Sequence, residues 1–160
     1  MNCRHTHRQG ASFRRRSAGL TLIELMLVVA ALGVLLVLAM SVYPNYRERI
    51  RVDQAKGDIT MLAMHIKSFH MDEGDYPVSL AEIGQALADP WGNPYRYTDL
   101  TGPGNGAARK DRKLNPLNSD FDLFSMGKNG TFKPQISNRE SLDDVIRASD
   151  GAFVDLASKY

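Results

Sequence analysis

From Leu20 to Tyr43 the chain is apolar around its whole circumference, with Glu24 as the one charged residue. At about 1.5 Å per helical residue that run is long enough to cross a hydrocarbon core of roughly 30 Å. Beyond Pro44 the pattern narrows. Val52, Ala55, Ile59, Leu62, Ile66 and Phe69 recur at spacings of three and four, while Arg49, Arg51, Asp53, Lys56, Asp58 and Lys67 fall on other faces. This periodicity predicts one long helix whose upper part lays an apolar stripe on a sheet and whose lower part stays in lipid. Pro44 removes a backbone hydrogen bond, which predicts a kink or local melting at the join. Gly74 and Pro77, in Asp72-Glu73-Gly74-Asp75-Tyr76-Pro77, predict the end of the helix near Met71. Ser79-Leu80-Ala81-Glu82 has the spacing of a capping box and predicts a short helix through about Leu87. His65 and His70 lie five apart, on different faces, and read as exposed or partly packed side chains rather than ligands.

After that the period shortens to two. Asp89-Pro90-Trp91-Gly92-Asn93-Pro94 reads as a rigid turn in which Trp91 anchors the loop against the helix, and Tyr95 to Thr98 reads as a strand. Thr101 to Asn118 is rich in Gly, Asn, Pro and charge and reads as a surface loop. Asp120 to Met126 alternates as a strand should, and Gly127-Lys128-Asn129-Gly130 ends in the Asn-Gly pair of tight hairpin turns. Ala152 to Leu156 carries a weaker strand signal. A long N-terminal helix, a small antiparallel sheet and irregular loops place the chain in the α+β class.

Charge divides the chain further. Its 160 residues carry a formal net charge of +2. Arg4, Arg8, Arg14, Arg15 and Arg16 precede Gly19 with no acid among them, leaving fifteen Lys and Arg against eighteen Asp and Glu, or about minus three. Basic residues ahead of an apolar span stay on the cytoplasmic side, so everything beyond Tyr43 is expected to face the periplasm or exterior. The same position beside a membrane span argues against a basic arm for nucleic acid. Leu20 to Tyr43 exceeds the 7 to 15 apolar residues of a secretory signal. The single cysteine, Cys3, lies upstream of the apolar run, where a lipoprotein cysteine does not sit. A chain lacking its first nineteen residues has no thiol, so packing, hydrogen bonds or a metal must hold the outer domain.

An ionised Glu24 within a bilayer costs roughly 2.5 to 3.5 kcal/mol and calls for a cation. Cutting after Gly19 would make one, the α-amino group of Leu20 on a neighbouring subunit. Gly19-Leu20-Thr21-Leu22-Ile23-Glu24-Leu25-Met26, with basic residues before it and an apolar helix after it, resembles the processing site of the type IV prepilin and type II secretion pseudopilin superfamily. Leu20 stands where phenylalanine is more usual, and the superfamily's proline lies a few residues nearer the glutamate than Pro44. The resemblance implies a leader, 1–19, removed by a prepilin peptidase that then N-methylates the new terminus at Leu20; a transmembrane and polymerisation helix, 20–43; and a periplasmic globular domain, 44–160. It makes Gly19 and Leu20 the processing residues and Glu24 the docking residue.

Asp89-Pro90-Trp91-Gly92-Asn93-Pro94-Tyr95-Arg96-Tyr97 is similar to the signature of the major pseudopilins of type II secretion, and distinguishes them from adhesive pilins that close a C-terminal disulfide loop. Asp120 to Gly130 is similar to the element after which, in that group, a loop closes around calcium. Calcium takes six to eight oxygen ligands, and the candidates are Asn129, Asp143 and Asp144. Asn129 stands where an aspartate is usual, and the loop from Thr131 to Leu142 is longer and contains Lys133 and Arg139. Ser141 to Val145 can equally open a short helix with acids in its first turn; both readings stay open.

The resemblance implies a non-enzymatic structural subunit: a homopolymer in an inner-membrane-based periplasmic pseudopilus, partnered by minor pseudopilins and the inner-membrane assembly platform, and driving protein export. The alternative is a pilin of a surface fibre for adhesion, motility or DNA uptake. Catalysis has no support in the sequence: there is no nucleophile with a base in context, no phosphate-cradling loop and no zinc spacing, and Asp120 and Asp122 alternate along a strand.

Overall fold

A computed structural model describes residues 19–102 and 107–160. The leader apart from Gly19, with its arginines and Cys3, lies outside the described residues, as do positions 103–106 of the Thr101–Asn118 loop. The chain divides into two units, Met1–Val42 and Tyr43–Tyr160, and each is described by itself.

One helix, α1, runs Leu22–Glu73 with Pro44 inside it. The helical assignment is unbroken at the proline, so the local melting expected there does not occur. In the first unit, α1 is long and apolar enough to cross a membrane, with a mean hydropathy of 2.9 in its most apolar window. Every described side chain from Gly19 to Met40 is exposed.

In the second unit α1 behaves as an amphipathic helix. Ala55, Ile59, Leu62 and Ile66 are completely buried, and Val52 flanks them. Each such aliphatic side chain contributes roughly 1.5 to 3 kcal/mol on burial. The helix ends two residues later than its expected stop: Gly74 takes φ 85° and donates its N–H to the carbonyl of His70, the geometry of a left-handed C-terminal cap. His70 stacks on Tyr76 with centroids 4.1 Å apart.

The expected helix from Ser79 to Leu87 does not form. Glu82, Gly84 and Gln85 donate to the carbonyls of Ser79, Ala81 and Leu80 in successive turns. The Glu82 carboxylate accepts from the N–H of Val78 rather than completing a box at Ser79, and Gly84 at φ 68° leaves the helical region.

Four strands follow: β1 Arg96–Asp99, β2 Phe121–Ser125, β3 Val145–Ala148 and β4 Phe153–Leu156. They form one antiparallel sheet in the order β1-β2-β3-β4, with Tyr97 opposite Leu123, Phe124 opposite Ile146 and Val145 opposite Leu156. β3 is the strand the sequence reading omits. Ser141 to Val145 does not open a helix; a 3-10 turn spans only Arg139–Ser141 and the chain extends from Val145.

The sheet is covered on both faces. Phe121, Leu123 and Val145 pack with the α1 stripe and Tyr95, while Phe124, Ile146 and Ala148 pack with Leu117, Met126, Ile136 and Ala157. The segment expected as a surface loop supplies part of that second cover: Ala108, Arg109, Leu117 and Asn118 are buried. Lys110 bridges both Pro116 and Gln135, drawing this segment and the β2–β3 connection together.

Candidate functional site

Within the first unit, Gly19, Leu20 and Thr21 precede the helix in irregular conformation, and the Gly19–Leu20 peptide bond lies between exposed residues, Leu20 being 71% exposed. Among the described residues, a Cβ added at Gly19 would meet nothing within 4 Å, so none of them requires glycine there. Thr21 begins the helix: its hydroxyl accepts the N–H of Glu24 at 3.3 Å. Thr21 and Glu24 thus have capping spacing, and the carboxylate stands in the first turn, where the helix dipole favours an acid. That local role for Glu24 was legible in Thr21-x-x-Glu24 and the sequence reading did not use it. Glu24 is exposed and ahead of a surface of exposed apolar side chains.

In the second unit the diagnostic block is built around Asp89. One carboxylate oxygen accepts from the N–H groups of Trp91 and Asn93 at 3.0 and 2.8 Å, and the other accepts from the Ser125 hydroxyl. Gly92, at φ 96°, lets the chain turn. Trp91 anchors the block to the helix as expected, its indole N–H donating to Glu48 at 3.1 Å, and the Tyr95 hydroxyl donates to Asp58 at 2.8 Å. Burial pushes the Tyr95 phenol up from its ordinary value, and the acceptor Asp58 adds to the shift. Asn93 Nδ2 donates to the carbonyl of Gly127 at 3.0 Å, tying the block to the start of the β2–β3 connection.

That connection contains the candidate calcium ligands. The Gly127–Gly130 turn forms, but it does not join neighbouring strands directly, because β3 begins only at Val145. Gly127 is required here: at φ 63° a Cβ would lie 2.3 Å from the carbonyl oxygen of Asp143. Asn129 and Asp143 come together. Asp143 Oδ2 accepts the Asn129 N–H at 3.0 Å, and Asn129 Nδ2 donates to Asp143 Oδ1 at 2.6 Å and to the Glu140 carbonyl at 2.8 Å. Asn129 Oδ1 accepts from both the N–H and the hydroxyl of Thr131.

Asp144 is not part of that group. It is fully buried and paired with Arg109, Nη2 to Oδ2, at 2.7 Å. The Arg109 guanidinium lies over the Phe124 ring at 4.1 Å and near Phe132 at 5.6 Å. Burial pushes the Asp144 carboxyl up to about 6 and the Arg109 guanidinium down, and each is held charged by the other. Among the described residues no three His, Cys, Asp or Glu side chains cluster as a metal site. The donors present differ from a hard-cation cage: the Asn129 N–H₂ points at Asp143, and the Arg109 guanidinium holds Asp144 through Oδ2 alone, leaving the buried Oδ1 without a hydrogen-bond partner.

Asp120 and Asp122 are likewise structural. Asp120 makes a two-pronged pair with Arg147 at 2.8 and 2.6 Å, and Arg147 lies over Phe121 at 4.0 Å. Asp122 is buried and accepts from the Arg109 N–H and Asn118 Nδ2, at 2.6 and 2.9 Å. Burial pushes its carboxyl up. The sequence reading omitted Arg109 and Arg147, because a cation in an apolar surrounding has no periodic signature. The aromatic-rich Phe121 and Phe124 were the available clue.

The prokaryotic N-terminal methylation motif matches residues 14–40. The chain is 30% identical to the type II secretion system core protein G of Pseudomonas aeruginosa over 140 residues, covering 73% of this chain and 87% of that protein. It is also 30% identical to the core protein G of Xanthomonas campestris pv. campestris, over 73% of this chain and 82% of the relative. It is 34% identical to the type IV major pilin protein PilA of Myxococcus xanthus, but over 64% of this chain and only 46% of that protein. No solved structure matches. With 30% identity over 73% of this chain and 87% of the Pseudomonas aeruginosa relative, and the methylation motif at residues 14–40, the chain belongs to the family of type II secretion system core protein G.

Proposed function

We propose that the chain is a structural subunit of a periplasmic pseudopilus that drives protein export through a type II secretion system. One observation carries this: a family member's helix α1 whose residues 22–40 are apolar on all sides and exposed, with Glu24 at its head. Such a surface requires lipid before assembly and other subunits after it. Glu24 is the docking residue, matched by the α-amino group of Leu20 on an adjacent subunit once a prepilin peptidase has cut after Gly19 and methylated the new terminus. The chain is a homopolymer that meets minor pseudopilins and the inner-membrane assembly platform. Its N-terminus is cytoplasmic and its sheet-bearing unit periplasmic before assembly. No catalytic role is assigned, since the acids of the sheet are engaged with arginines and backbone.

Similarity to major pilins of Myxococcus xanthus and Neisseria gonorrhoeae supports a second reading, a pilin of a surface fibre. Deleting the gene in its host separates the two. Loss of exoprotein secretion with unchanged surface fibres is the expected result; normal secretion with loss of fibres would establish the pilin.

A further inference from the structure

We propose that the β2–β3 connection of this chain is closed by its own side chains, the Asn129 amide and the Arg109 guanidinium standing where a divalent cation would otherwise be needed. Residues 127–144 contain three acids, Glu140, Asp143 and Asp144, and three cations, Lys128, Lys133 and Arg139, so the loop has no excess of negative charge to recruit an ion. Each acid already has a donor from this chain. Lys133 pairs with Glu140 at 3.2 Å, Asn129 holds Asp143 through both its backbone and its side-chain N–H groups, and Arg109 holds Asp144.

The orientation of the Asn129 amide is set by its neighbours. Thr131 offers two donors to Oδ1, so a flipped amide would face donor with donor, and Nδ2 must be the end that bridges Glu140 and Asp143. An aspartate at this position would instead bring two carboxylates together, a repulsion that a bound cation relieves. Further links close the two ends of the loop: the Lys133 N–H donates to Ser141 Oγ at 2.8 Å, and Phe132 packs on Phe124 with centroids 5.0 Å apart. The loop is thereby pinned at 129–143 and 133–141 by hydrogen bonds and at 132–124 by ring packing, all from the chain's own groups.

This inference goes beyond the pseudopilus reading and is independent of it, since it concerns what closes a loop and not what the subunit assembles into. Thermal melting of the processed full-length protein in detergent, in excess calcium and in excess EGTA, tests it alongside the variant Asn129→Asp. The wild type is expected to melt at one temperature in both conditions. Asn129→Asp is expected to melt several degrees lower in EGTA and to recover in calcium, having exchanged a donor for a charge. A calorimetric titration of the wild type with calcium is expected to give no saturable heat. A wild-type Tm raised by calcium, saturable one-to-one binding to the wild type, or a variant no more calcium-responsive than the wild type would each overturn the proposal. Secretion and fibre assembly are separate readouts, so failure here leaves the pseudopilus reading to its own test.

Discussion

Residues 22–40 and 52–66 belong to one helix, yet their apolar side chains meet opposite fates. In the upper segment charged residues interrupt the pattern at helical spacing, and the remaining stripe of Ala55, Ile59, Leu62 and Ile66 is buried against the chain's own sheet. In the lower segment nothing interrupts it after Glu24, and Leu22, Leu27 and Val37 remain 77%, 68% and 69% exposed. An apolar stripe names a partner inside the molecule, whereas an apolar circumference names one outside it. Fold and assembly are therefore encoded in separate stretches of the same helix, and they should be separable by mutation.

The largest separation is expected at Glu24. Glu24→Ala should leave membrane insertion intact, since it removes a charge that insertion disfavours, while assembly falls by about tenfold or more, the equivalent of at least about 1.4 kcal/mol per docking event. Fibre recovery and secretion assays check it, and unaltered filament formation would refute the docking role. Leu62→Ala should act in the opposite sense. It opens a cavity under the sheet and should destabilise the second unit by about 2 to 5 kcal/mol in a denaturant titration. Trp91→Phe keeps an aromatic side chain, though a smaller one, and removes the indole donor to Glu48, with an expected loss of about 0.5 to 1.5 kcal/mol from the hydrogen bond. The smallest effect on stability is expected from Leu27→Ala, within about 0.5 kcal/mol in the same titration, because that side chain is 68% exposed. A Leu27→Ala loss comparable to that of Leu62→Ala would erase the distinction between the segments.

Much of this architecture was legible because its signals are periodic or involve glycine and proline. The stripe on α1, the cap at Gly74, the Trp91 anchor and strands β1, β2 and β4 all fall where spacing and turn chemistry put them, within a few residues. β3 was not legible. Val145-Ile146-Arg147-Ala148 is buried on both faces and so does not alternate, Arg147 breaks its apolar run, and Asp143 and Asp144 before it imitate the first turn of a helix. The false helix at Ser79–Leu87 shows the converse. A four-residue capping pattern has no strength when a glycine five residues on leaves the helical region and the glutamate finds a different N–H.

Of the site, Gly19, Leu20 and Glu24 were named from sequence because the resemblance that implies processing and docking rests on a linear segment. Asn129 and Asp143 could be paired only loosely, and the separation of Asp144 from them could not be foreseen. It depends on Arg109, thirty-five residues away, crossing the far face of the sheet to reach it. Ion pairs between distant segments leave no spacing to read, which is why the loop suggested a metal and the structure offers side chains.

Mass spectrometry of assembled protein isolated from its native host tests the central claim most directly. The account predicts a chain that begins at Leu20 and carries one added methyl group on its α-amine. Polymerised material that still begins with the arginine-rich residues ahead of Gly19 would contradict it, because no α-amino group would then exist at Leu20 to meet Glu24 of a neighbour.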